Sequence, residues 1–191
     1  MIRTGVLLAA LLLIVNVGLA LNKPKSNSLY YGLGVGSSIG KDNEGMGFVY
    51  TTGLLMPMKN DRFRLNPTLS LGSYSSKTIV DARDQQFRNV SAGMGVWVDL
   101  VQETSFSVMV GGGTLLCHSK GLLGNAVDEN GVMTESPAYF SNYYWGGMFG
   151  IGFRFSYPDR RVNFELRPLS IHFGGTGFME VSAALGVDIR L

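Results

Sequence analysis

Cysteine is nearly missing from this chain of 191 residues: Cys117 stands alone, so no disulfide can form within it. Two histidines and one cysteine also fall short of a transition-metal site, and no cofactor is expected. Charge is scarce as well. Charged residues make up 16% of the chain, where about a quarter is usual for a soluble domain. The net charge of +2 argues against nucleic acid as a partner. There is no charge run or proline-rich linker to divide residues 21–191, so one domain is expected there. No segment carries a convincing helical period.

The apolar run at 6–15 follows a basic start at Arg3 and is followed by Gly18 and Ala20. It is short for a membrane-spanning helix and is interrupted by Asn16, so residues 1–20 read as a secretory signal cleaved near Ala20. A lipoprotein anchor would need a cysteine at the cleavage site, and Cys117 is far from it.

What the chain does have is alternation. In 179–191, Met179, Val181, Ala183, Leu185, Val187, Ile189 and Leu191 share one face, and Glu180, Ser182, Ala184, Gly186, Asp188 and Arg190 share the other. Successive strand side chains point to opposite faces, so this is a strand of membrane-spanning length with one apolar side. Seven further segments follow, at 29–40, 46–58, 62–72, 89–100, 105–116, 139–157 and 162–173. In the first, Leu29, Tyr31, Leu33 and Val35 oppose Gly32, Gly34 and Gly36; in the fourth, Val90, Ala92, Met94 and Val96 oppose Ser91, Gly93, Gly95 and Trp97. Pro67 cannot donate to a ladder and predicts a local irregularity. After Pro168 the apolar phase slips to Leu169, Ile171 and Phe173, which predicts a bulge.

The connections are unequal in a regular way. Those at 59–61, 101–104 and 158–161 are short, whereas 76–88 and 117–138 are long and polar. These features predict an all-β, eight-stranded antiparallel up-and-down transmembrane β-barrel over 21–191, with both termini on the short-turn side.

A soluble barrel would show the same alternation with its apolar face turned inward, so the second face decides. It is rich in glycine, serine, threonine, asparagine and alanine, has no lysine within the segments as drawn, and takes up many of the 26 glycines. Small residues suit the crowded interior of a narrow barrel. Tyr30, Tyr31, Tyr50, Tyr74, Tyr143, Tyr144, Trp145, Phe155 and Tyr157 lie towards segment ends, where interfacial girdles are expected. Arg64, Asp99, Arg154, Glu165, Arg167, Glu180, Asp188 and Arg190 cannot face hydrocarbon. They are expected to pair inside as an ion-pair ladder that fills the lumen, with Glu180 in range of Arg167 and Glu165.

On these segments and this pattern of turns, the chain resembles the small eight-stranded outer-membrane proteins of bacteria, the outer-membrane protein A and X type, and the broad outer membrane protein beta-barrel domain family. Members of that group often end in an aromatic residue, where this chain ends in Leu191, which keeps the outward phase. The resemblance implies a place in the bacterial outer membrane among lipid and lipopolysaccharide, with insertion by the outer-membrane assembly machinery. It also implies an extracellular ligand or adhesion partner met through 76–88 and 117–138, or a structural envelope role.

Some small outer-membrane barrels modify lipid A with a histidine and a serine. Here His118 and Ser119 are the candidates, with Asp128, Glu129 or Glu135 as orienting acids. The resembling deacylase family separates its pair by one residue and follows it with asparagine, whereas these two are adjacent and followed by Lys120. A surface-loop histidine is the preferred reading, so no enzyme is expected, and a lipid A hydrolase or acyltransferase is the alternative. His172 is read as an interfacial or loop-proximal residue rather than a base, and Cys117 as a strand-end thiol. The glycines at 32–36 and 111–113 precede no helix and are not nucleotide loops. A narrow channel and a soluble lipocalin-like carrier remain further alternatives.

Overall fold

The computed structural model describes residues 26–58, 62–78, 84–124, 126–127, 133–156 and 161–191. The expected signal sequence and its cleavage site, the turn at 59–61, Asp128, Glu129 and Tyr157 lie outside the described residues.

Eight strands close into one barrel: β1 (Ser28–Ile39), β2 (Glu44–Pro57), β3 (Phe63–Ser75), β4 (Gln85–Gln102), β5 (Phe106–Leu123), β8 (Ala138–Phe155), β9 (Val162–Gly174) and β10 (Met179–Arg190). Each pairs antiparallel with its neighbours, and β1 seals against β10 from Ser28↔Arg190 to Ile39↔Met179. Closure leaves no unpaired edge, and every strand is joined up-and-down to the next. Two short strands, β6 (Ala126–Val127) and β7 (Met133–Glu135), form a hairpin between β5 and β8.

Period-two patterning fixes which face is which. Leu33, Phe48 and Leu185 point outward at 62%, 67% and 68% exposure, while Tyr30, Asn66, Trp97 and Glu165 are buried inside. The apolar side chains thus clothe the outside of the sheet and the polar ones fill its centre, the inverse of a water-soluble barrel. Both ends of the barrel chain lie at one rim, here called the terminus end; the other is the loop end. The connections 103–105 at the terminus end and 76–84 and 124–137 at the loop end keep the expected inequality.

The strands run further than the pattern indicates. β4, β5 and β8 each have 18 residues, against 12 in β1 and β10; at the loop end β8 continues past its last pairing with β9, at Gly146↔Gly174, through 138–145, whereas β4 overhangs β3 chiefly at the terminus end, where its last pairing is Phe63↔Val98. Cys117, His118, Ser119 and Lys120 therefore belong to β5 rather than to a loop, and the strands are not free of lysine. Beyond the apolar belt, polar residues stand on the outer face, so hydropathy stops alternating while the backbone ladder continues.

Parity also overrides aromatic character. Tyr30, Tyr74 and Tyr144 do not join an outer girdle; each shares its face with a neighbouring glycine two residues away and is buried in the lumen. The slip after Pro168 is present: Ser182 pairs with Ser170 but Ala184 with Arg167, and the β8 side shifts between Ile151 and Phe153. A second shift, between Asp99 and Val101, leaves Leu100 and Val101 both exposed. Pro67 pairs regularly with Met94 on one side, while on the other the ladder pauses between Gly53↔Thr68 and Met56↔Leu65. There Asn66 Nδ2 donates to the Leu54 carbonyl at 3.1 Å, supplying a hydrogen bond where proline has no N–H.

Candidate functional site

The lumen is filled in three storeys. At the terminus end, Arg64 Nη2 donates to Asp99 Oδ2 at 2.7 Å, and Arg167 Nε to Glu165 Oε1 at 2.6 Å. Arg154 lies 3.1 Å from Glu165, 3.3 Å from Asp188 and 4.0 Å from Asp99. Register brings these groups together. Arg154 and Glu165 are direct β8–β9 partners, Asn163 and Asp188 are β9–β10 partners, and Arg167 stands two residues along the same face from Glu165. Three buried arginines thus meet three buried carboxylates, and this balance is what makes so much desolvated charge tolerable. Arg190 is joined through Asn163, whose Oδ1 accepts from it at 3.3 Å while its Nδ2 donates to Asp188 at 3.2 Å.

In the middle storey, the Arg167 guanidinium lies 3.7 Å from the Tyr30 ring centroid and 4.5 Å from that of Trp97. Trp97 Nε1 donates to Asn66 Oδ1 at 3.0 Å. Glycines make the room for these rings: a Cβ on Gly32 would fall on Tyr30, and one on Gly111 would fall on the Trp97 ring. The cavity above them has about 40 Å³ and is lined by Thr51, Ser70, Met148, Ser170 and His172 among others. That is the scale of one or two waters, not of an ion-conducting pore.

At the loop end, Glu180 accepts from Asn89 Nδ2 at 2.8 Å and faces His172 Nδ1 at 3.0 Å; Asn89 also donates to Ser38 at 2.9 Å. Glu180 pairs in register with Ser38 and His172, so it forms its own cluster rather than joining Arg167 and Glu165. His172 is loop-proximal, as one half of the sequence reading has it, but points into the lumen rather than to the interface, because the bulge after Pro168 inverts the faces of Ser170 and His172. Tyr74 stacks on Phe87 with centroids 5.1 Å apart, Tyr144 stacks on Phe178 at 4.5 Å, and these rings close the top.

The two sequence-level catalytic candidates are separated by the wall itself. The His118 ring stacks on Tyr143 outside, with centroids 4.3 Å apart, and its Nε2 lies 2.9 Å from Ser141 Oγ. Ser119 is buried inside, as is Cys117. Adjacent strand residues face opposite ways, so His118 cannot take a proton from Ser119. Among the described residues, no three His, Cys, Asp or Glu side chains converge as a metal site. Charge alone did not single out Tyr30, Asn66, Asn89, Trp97 and Asn163 as part of the luminal network. Their shared parity with the small residues was the available signal.

A closed barrel of eight antiparallel strands, apolar without and ionic within, is the fold of the small outer-membrane β-barrels. No protein-family model and no curated protein sequence matches the chain. Among solved structures, it is similar to Neisserial surface protein A, at 11% identity and a TM-score of 0.62, over 86% of this chain and 97% of that one. It is also similar to Ail, the attachment invasion locus protein of Yersinia pestis, at 12% identity and a TM-score of 0.54, over 87% and 99% of the two chains. The N-terminal β-barrel domain of Pseudomonas aeruginosa OprF matches at 14% identity and a TM-score of 0.50, over 88% and 100%.

Proposed function

We propose that this chain is an integral outer-membrane barrel with a structurally filled lumen, which acts by presenting its loop end to partners outside the cell or as a fixed component of the envelope. The observation that carries the reading is the inversion of faces. Large apolar side chains such as Leu33, Phe48 and Leu185 stand outward around a closed sheet, while Arg64, Arg154, Arg167, Asp99, Glu165 and Asp188 are buried within it. Hydrocarbon is the medium that suits such a surface, and a closed sheet is the one strand arrangement that leaves no backbone group unpaired in it.

The extended β5 and β8 support the loop-end role. Residues 138–145 of β8 stay paired to β5 beyond the last β8–β9 pair, Gly146↔Gly174, so a two-stranded ladder continues past the end of β9 at about 3.3 Å per residue. A rigid projecting hairpin is a suitable mount for binding residues. Attachment appears in the name of Ail, and that protein has also been solved with the heparin analogue sucrose octasulfate. For the present chain the same role is tested by cell fractionation, a heat-modifiability gel and a binding assay on intact cells. Expected are recovery with outer membranes, faster migration before boiling than after, and loss of surface binding when 124–137 is replaced by a short turn in a barrel that still folds. Recovery in buffer without detergent, as a soluble carrier would show, contradicts the reading. So does a stepwise conductance in planar bilayers, which a filled lumen does not allow.

A further inference from the structure

We infer that the polar cavity in the middle storey of the lumen is a binding site for one halide-sized monovalent anion, held between Arg167 and His172 and taken up together with a proton on His172. The site depends on the closed barrel alone, not on what the loop end meets. Its space of about 40 Å³ is lined by Tyr30, Arg167, Ser170, His172 and Ser182, among others. Arg167 Nη2 and Tyr30 Oη are both buried without a hydrogen-bond partner among the described residues. A guanidinium N–H can only donate, and a buried donor left bare is costly, so the cavity calls for an acceptor. Ser170 and Ser182, cross-strand partners on β9 and β10, bring two more hydroxyls that can donate into it. A spherical anion accepts from every one of these donors at once, whereas a water has two lone pairs and brings two protons that need acceptors of their own.

The bulge builds this wall. Had period two continued past Pro168, Leu169, Ile171 and Phe173 would follow Arg167 into the lumen; the slipped register turns Ser170 and His172 inward instead and leaves Phe173 exposed outside. Bulges re-aim side chains in this way beside functional sites. Charge balance then sets the proton count. In the lumen Arg64, Arg154, Arg167 and Arg190 are matched by Asp99, Glu165, Asp188 and Glu180, so an anion alone would leave one negative charge in excess. His172 supplies the compensating charge. Its Nδ1 lies 3.0 Å from Glu180 Oε1, and protonation puts an N–H on Nε2 as well, on a ring that lines the cavity. The charged groups about this ring are Glu180 on β10 and Arg167 on its own strand. Opposite it β8 presents Met148, and Glu180 is also held by Asn89 of β4, neither of which titrates. Tyr74 of β3 and Cys117 of β5, which lie near Glu180 too, stay neutral at and below neutral pH.

The test uses the full barrel, folded in mild detergent and carrying Trp145→Phe, so that Trp97, which lines the cavity, is the single indole. Sodium bromide replaces sodium gluconate at constant ionic strength, at about pH 5 and about pH 8, either side of the usual histidine range. Gluconate is too bulky to enter. Bromide should quench Trp97 saturably, with a half-saturating concentration that rises with pH by up to about tenfold per unit, the limit for one coupled proton. Crystals grown in bromide at the lower pH should show an anomalous peak in the cavity. His172→Gln should weaken binding and remove its pH dependence, and Ser170→Leu, which fills the cavity, should abolish the saturable phase in a barrel that a heat-modifiability gel shows to be folded. If Ser170→Leu does not fold, Ser170→Ala removes one donor and should raise the half-saturating concentration several-fold; an unchanged value overturns the site. Quenching that is absent, or linear without saturation, means that the cavity holds water only and overturns the site, as does a folded Ser170→Leu variant that responds like its parent. The same half-saturation at both pH values, or a pH dependence that survives His172→Gln, overturns the coupling to His172.

Discussion

Arg167 lies with its guanidinium carbon 3.7 Å from the centre of the Tyr30 ring, inside a barrel whose outer wall at the same strand, β1, is Leu29, Tyr31 and Leu33. One strand thus supplies an aromatic face to a buried cation on one side and a hydrocarbon surface on the other. Cation–π contact, together with the Glu165 carboxylate at 2.6 Å, substitutes for the water that Arg167 gives up.

Arg154 is the hub of the terminus-end storey, since it approaches Asp99, Glu165 and Asp188 at once. Arg154→Met is expected to lower unfolding stability by about 3–5 kcal/mol, because it strands buried carboxylates. Removing Arg64 and Asp99 together, as Met and Leu, should cost much less than Arg64→Met alone, because no unpaired charge is left. Urea titration of the barrel in bilayers measures both. A single-variant loss below about 1 kcal/mol, the range of exposed pairs, would show that the cluster is hydrated rather than buried.

Gly111 and Gly112 are neighbours with opposite duties. A Cβ on Gly111 would meet the Trp97 ring, whereas on Gly112 the nearest atom is the Met148 carbonyl oxygen at 3.3 Å. Gly111→Val should destabilise by about 1–3 kcal/mol through overpacking, and Gly112→Val should cost less. Equal costs at the two sites would mean that the faces of β5 are misassigned.

His118 and Ser119 provide a chemical check. They stand on opposite sides of the wall, so His118→Ala should leave the mass spectrum of lipid A in overexpressing cells the same as that of wild type, and wild type the same as vector control. A deacylated or newly acylated species that depends on His118 would contradict the proposed non-enzymatic role.

Much of the barrel was legible because period two survives wherever one face meets hydrocarbon and the other a packed lumen. β10 is the clearest case, with every residue from Met179 to Arg190 on the face that its parity assigns. The bulge beside Pro168 was legible for the same reason, as a slip of phase. Legibility failed where the outer face turns polar. The loop-end turns of β4 and β5, including Gln85 to Arg88 and Cys117 to Leu123, carry no hydropathy contrast yet continue the ladder without a break. The composition of the luminal charge cluster could be read from the segments, but its division into two groups could not. That division depends on barrel stagger, which sets Glu180 beside His172 and Asn89 rather than beside Arg167.

The chain's two tryptophans stand on opposite faces: Trp145 is 71% exposed on β8, and Trp97 is 7% exposed in the lumen. Trp97→Phe and Trp145→Phe therefore each leave one reporter, whose fluorescence can be measured in vesicles containing lipids brominated at shallow acyl positions. Strong quenching of the protein that retains Trp145, with little quenching of the one that retains Trp97, is expected if hydrocarbon contacts the outside of the sheet. Quenching of Trp97 by brominated lipid, or quenching of Trp145 by aqueous iodide alone, would contradict it.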